Sequence, residues 1–95
     1  MKIYELLTDE SKWVQRTYAV DGNGKPVTPL YRTAVRWCII GGLRKCYSLW
    51  EEAKVMQQLM RSLLRLFGRT NLSRWQDEFT TTFAMVQQLL RDADA

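Results

Sequence analysis

Two cysteines, two adjacent acidic pairs and a set of arginines are the residues of this 95-residue chain whose types could do chemistry. Their spacing points away from catalysis. Cys38 and Cys46 lie eight positions apart; on one helix that separates their Cα atoms by about 12 Å, beyond the ~7 Å limit for a disulfide. The sequence has no histidine, which removes Ser-His and Cys-His nucleophile pairs. With no CxxC pair either, too few soft ligands remain for a structural zinc site. Both thiols are therefore expected to be reduced and to pack as small hydrophobes, and neither a metal nor a cofactor is expected. Glu51-Glu52 and Asp77-Glu78 are neighbours in sequence, and adjacent residues on a helix do not face each other. They suit capping, solvation or loop hydrogen bonds better than paired acid-base work. Asp21-Gly22-Asn23-Gly24 lacks the alternating carboxylates and the closing glutamate of a calcium loop, and no glycine cluster is followed by the GKS or GKT of a phosphate loop.

The basic residues are stronger functional candidates. Residues 31–70 carry eight basic and two acidic side chains, against two basic and four acidic in 71–95, so the net charge of +4 is a basic middle facing an acidic tail. Arg61, Arg65 and Arg69 fall at i, i+4 and i+8, one stripe of a helix, while Arg32, Arg36, Arg44 and Lys45 fall on the preceding segment. Together they are candidates for a surface that tracks phosphates with salt-dependent affinity. No recognised RNA or DNA reading motif accompanies them. The four tryptophans give a competing reading. Trp37 is expected in the core, but Trp13, Trp50 and Trp75 are hard to bury together in so small a domain. At least one is expected on a binding surface, where Trp and Arg are enriched.

The functional expectation is a small non-enzymatic binding or inhibitor protein acting on a protein partner or on a second copy of itself as a homo-oligomer. Its candidate contacts are Trp50, Arg61, Arg65 and Trp75. Nucleic-acid binding through the basic face is the alternative, and a small ligand held in a pocket under a hairpin is third.

These groups must be positioned by one domain spanning 1–95, because a chain this short buries only about 60–65% of its unfolded surface. No apolar run approaches the ~20 residues of a membrane span. The N-terminus turns acidic within a few residues and has no signal-peptide pattern, so the expected location is cytoplasmic.

Ile3, Leu6 and Leu7 predict a short first helix, ended by Thr8-Asp9-Glu10-Ser11. Trp13 to Val20 is β-branched and aromatic, and Asp21 to Pro26 is the strongest turn signal, so Val27 to Tyr31 is expected to return as the partner strand of a hairpin. From about Thr33 to Tyr47, Val35, Ile39, Leu43 and Cys46 share one helical face, beside a stripe of small residues at Ala34, Cys38 and Gly42. Gly41 and Gly42 in mid-helix would cost about 0.5–1 kcal/mol each relative to Ala, so a second helix is expected close against them. Ser48-Leu49-Trp50-Glu51 fits a capping box opening a helix that stops at Gly68. A connector follows, with a short turn at Trp75 to Glu78, then a last helix starting near Thr80 to Thr82 and burying Phe83, Val86, Leu89 and Leu90. The expected class is mainly α: three main helices, a short N-terminal one and one β-hairpin.

The order of these features resembles a family of small uncharacterised bacterial and phage domains. Its members carry a tryptophan-cysteine-x-x-glycine-alanine-leucine helix and close on an asparagine-aspartate turn, a threonine cap and a valine-leucine-leucine helix. The matching positions are Trp37, Cys38, Gly41, Leu43, Asp77, Thr81, Val86, Leu89 and Leu90. The chain departs at Gly42, where alanine is usual, and at Gln76, where asparagine is usual. The resemblance implies a fold and a microbial or phage setting, with a phage accessory or counter-defence role by analogy. It implies no mechanism and no catalytic residue.

Overall fold

The computed structural model describes residues 1–95. Helix α1 spans Ile3–Leu6, strands β1 and β2 span Ala19–Val20 and Arg36–Trp37, and four further helices follow: α2 Ile39–Cys46, α3 Leu49–Phe67, α4 Leu72–Gln76 and α5 Phe83–Asp92. The protein is mainly α with one two-stranded antiparallel sheet.

Helix ends follow local chemistry. The Glu51 carboxylate accepts from the Ser48 amide at 3.0 Å and from its hydroxyl at 2.9 Å, and α3 stops at Gly68, whose φ of +66° suits a residue without Cβ. Asn71 caps α4 by accepting from the Arg74 amide. Thr82 caps α5 by accepting from the Met85 amide. The inner face of α3 buries Val55, Leu59, Ser62 and Leu63, and that of α5 buries Phe83, Val86, Leu89 and Leu90. The chain ends close the core: the Ile3 amide donates to the Ala95 carbonyl, and Lys2 Nζ donates to that of Asp94 at 2.9 Å.

The sheet differs from expectation. The turn forms as read, with the Asp21 carboxylate accepting from the Asn23 and Lys25 amides and Gly24 at φ +79°. Val27 to Tyr31, however, does not become the partner strand. Only the Val27 amide reaches back, to the Ala19 carbonyl. Pro26 and Pro29 have no N–H and cannot carry a ladder on. Arg36–Trp37 takes the place instead, pairing Ala19 with Trp37 and Val20 with Arg36. Trp37 Nε1 donates to the Pro29 carbonyl at 3.0 Å and ties down the intervening loop.

This pairing also shortens α2, which begins at Ile39 and not near Thr33. The Val35 and Cys38 amides donate to the Val20 and Tyr18 carbonyls, so they are committed to the sheet side before a helix can use them. Gly41 and Gly42 consequently lie in the first turn of α2. Both are closely approached, but the expected second helix is the neighbour only at Gly42, where it is α1; at Gly41 the neighbour is the backbone of Tyr18, just before β1. A Cβ at Gly41 would stand 1.9 Å from the Tyr18 carbonyl oxygen, and one at Gly42 would stand 2.8 Å from Ile3 Cγ2 of α1.

Candidate interaction surface

Helix α3 is the longest element, and its turn geometry sorts its side chains into two faces. Leu59 sits at the centre of the buried face. At 100° per residue, Trp50, Lys54, Gln57, Arg61 and Leu64 fall within about 80° of one another on the side directly opposite. All five are exposed. Trp50 is 95% exposed and its neighbour Leu49 86%, while Leu64, near the other end of the helix, is 56% exposed.

The tryptophans divide sharply. Trp13 and Trp37 are buried, and so is Trp75, which is only 2% exposed and lies with its ring centroid 4.9 Å from that of Phe67. The expectation that Trp75 is a surface contact is therefore corrected: α4 turns it inward, where it is among the largest fully buried side chains. Trp50 alone among the four meets solvent.

The basic residues are not gathered as expected. Arg69 follows Gly68, whose left-handed backbone ends α3, so it does not extend the stripe of Arg61 and Arg65. Its guanidinium instead makes a two-pronged contact with the Glu78 carboxylate, with Nη1 to Oε1 at 2.7 Å. That hydrogen-bonded pair raises the Arg69 pKa and lowers that of Glu78. Arg65 pairs with Asp92 of α5. The Arg44 guanidinium lies 4.7 Å from the Tyr18 ring centroid, over its face. Arg32 belongs to the segment entering β2, Arg36 to β2 itself and Lys45 to α2, all three exposed. Arg61 is exposed on the outer face of α3 and takes part in no ion pair within the chain. Sequence reasoning missed Lys54, Gln57 and Leu64, although their alternating four- and three-residue spacing from Trp50 to Leu64 was there to be read.

A second feature lies where α2 begins. A cleft of about 400 Å³ is lined by Arg16, Cys38, Ser73, Gln76 and Asp77, among others. Most of its polar groups hold the fold together. Asp77 Oδ1 accepts from the Arg16 amide at 2.8 Å and so holds Arg16 at φ +69°, a left-handed conformation. Gln76 Oε1 accepts from the Ile39 amide at 2.9 Å and caps α2 from across the molecule. Gln76 is the last residue of α4, so the left-handed turn that an asparagine there would favour does not arise. Cys38 Sγ accepts from the Gly41 amide at 3.3 Å. Burial pushes the Cys38 thiol up from its ordinary value, and pushes that of Cys46 up to about 11. Both cysteines are free. Cys38, Gly41 and Asp77 of the motif thus meet in space, and each has a structural task. Thr81 completes the set by donating its hydroxyl to the Trp75 carbonyl at 2.6 Å.

No three His, Cys, Asp or Glu side chains gather in a way that could hold a metal ion. No helix is long and apolar enough to cross a membrane. No curated protein and no solved structure matches this chain. Residues 2–95 match a family described as a family of unknown function (DUF6197), nearly the whole length, and the chain belongs to that family.

Proposed function

We propose that this domain is a non-enzymatic protein-binding module that engages its partner through the outer face of α3. One observation carries the reading: Trp50, 95% exposed, stands beside the exposed Leu49 at the start of a face that points straight away from the core. A large aromatic side chain left in water is unfavourable by roughly 25 cal/mol per Å² of apolar surface, and Trp is among the residues that most often anchor protein interfaces. Arg61 lies on the same face. An inhibitor or accessory role, including counter-defence in a phage, would use such a surface and need no catalytic group.

Nucleic-acid binding is the weaker reading. Arg65 and Arg69 are neutralised by Asp92 and Glu78, and Arg44 is engaged with Tyr18. The remaining cations are spread over several elements. Affinity capture with the full chain tests the choice. Wild type is expected to retain a specific protein that Trp50→Ala fails to retain, with the same recovery at 50 and 300 mM salt within roughly tenfold. Recovery of nucleic acid alone, or of the same proteins by both forms, would remove the reading.

A further inference from the structure

We infer that the partner segment which covers α3 is an acidic amphipathic helix; this rests on the protein-binding reading above. Trp50, Lys54, Gln57, Arg61 and Leu64 follow one another at intervals of four, three, four and three residues. That alternation averages 3.5, the spacing at which a second helix can lie along the first and meet every position of a seam. The five positions cover about 21 Å of helix at 1.5 Å per residue. The seam is apolar at its two ends, Trp50 and Leu64, and cationic between them, at Lys54 and Arg61. From Ala53 to Phe67 the helix has no acidic residue to offset these charges, and neither Lys54 nor Arg61 has a carboxylate partner elsewhere in the chain.

The charges select among occupants. A second copy running antiparallel about Gln57 would bring Trp50 onto Leu64, which is favourable, but would set Lys54 against Arg61 twice. A parallel second copy would set Lys54 against Lys54 and Arg61 against Arg61. Like charges facing across a seam oppose pairing in either direction. A helix with carboxylates about seven positions apart, flanked by apolar residues about fourteen positions apart, meets Lys54 and Arg61 with the first pair and Trp50 and Leu64 with the second, leaving Gln57 between the charges to face a polar residue. The apolar ends supply the contact area, and the acidic pair fixes register and direction.

The whole protein is the target in the test, and the probe is a surface-displayed library of helical peptides of about 21 residues with their facing positions randomised. Sorting is carried out against wild type, Trp50→Ala and the charge-reversed pair Lys54→Glu with Arg61→Glu. Peptides enriched on wild type are expected to carry Asp or Glu at the two central positions. Their binding to Trp50→Ala is expected to be at least about 30-fold weaker. The charge-reversed protein should select Lys or Arg at the same positions, a gain that a misfolded variant cannot show. Enriched peptides without an acidic preference, or with equal affinity for all three proteins, overturn the acidic-helix assignment and leave protein binding standing. Failure to enrich any peptide also rejects the assignment. If the protein then proves to dimerise through α3, the partner is a second copy; if it binds only nucleic acid, the protein-binding reading falls as well.

Discussion

The Tyr18 carbonyl oxygen lies 1.9 Å from where a Cβ on Gly41 would stand, so the start of α2 and the segment leading into β1 are in backbone contact. Neither partner can retreat easily. The Cys38 amide already donates to that same carbonyl at 3.2 Å, and Cys38 caps the helix.

Gly41→Ala should therefore destabilise the domain by about 3 kcal/mol or more, the upper end for inserting one carbon into a packed site. At Gly42 the obstacle is a side-chain methyl group of Ile3 at 2.8 Å. Ile3 is fully buried and the methyl sits on its branched Cβ, so it yields only with a shift of α1. Ala gains up to about 1 kcal/mol of helix propensity against that overpacking, so Gly42→Ala should cost about 1–2 kcal/mol, less than Gly41→Ala. Urea melts of the two variants check the contrast; equal costs at both positions would contradict the backbone contact.

Trp50 and Trp75 should respond oppositely to truncation. Trp75→Ala empties a core position against Phe67 and is expected to cost about 3–5 kcal/mol. Trp50→Ala removes a side chain that meets solvent and should change stability by no more than about 0.5 kcal/mol. Paired thermal and urea denaturation decides this. A large loss at Trp50 would mean that the exposed face of α3 is covered within the chain itself.

Three carboxylates predict the acid limb of stability. The Glu78 pKa is lowered first by its hydrogen bond to Arg69, that of Glu51 by the Ser48 amide, and that of Asp9 by the Ser11 hydroxyl. Each binds a proton less readily folded than unfolded, so each adds stability above its ordinary value, 4.5 for the glutamates and 3.8 for Asp9. That stability is lost as pH falls through the lowered values. Denaturation midpoints should drop below about pH 4.5, and Glu78→Gln should flatten part of that drop. An unchanged acid limb in Glu78→Gln would show that the contact with Arg69 adds nothing in solution. Lys2 acts at the other end: its hydrogen bond to Asp94 raises its pKa above 10.5. Its contribution is present below that value and lost as pH rises past the raised one.

What the sequence by itself determined was local. The Ser48-Glu51 cap, the Gly68 stop and, from a start legible only as Thr80 to Thr82, the inner face of α5 all depend on residues within a turn or two of each other, where spacing dictates contact. The Asp21 turn belongs to the same class. The need for a close neighbour at Gly41 and Gly42 was legible too, because a missing side chain implies approach whatever does the approaching. Tertiary structure alone chose the partners. Val27–Tyr31 alone looked able to pair with β1, and Arg36–Trp37 looked helical; the prolines and the pairing of the Val35 and Cys38 amides with the Val20 and Tyr18 carbonyls gave the place to Arg36–Trp37 instead. That choice moved the start of α2 and made Tyr18 and Ile3 the neighbours of the glycines. Likewise Trp75 went inward because Phe67, across the α3–α4 connection, covers it. Arg65 lost its free charge to Asp92, 27 positions away. Patterns of period 3.6 or 2 report which face of an element is apolar; which distant group meets that face is a competition among segments, settled only when all of them pack at once.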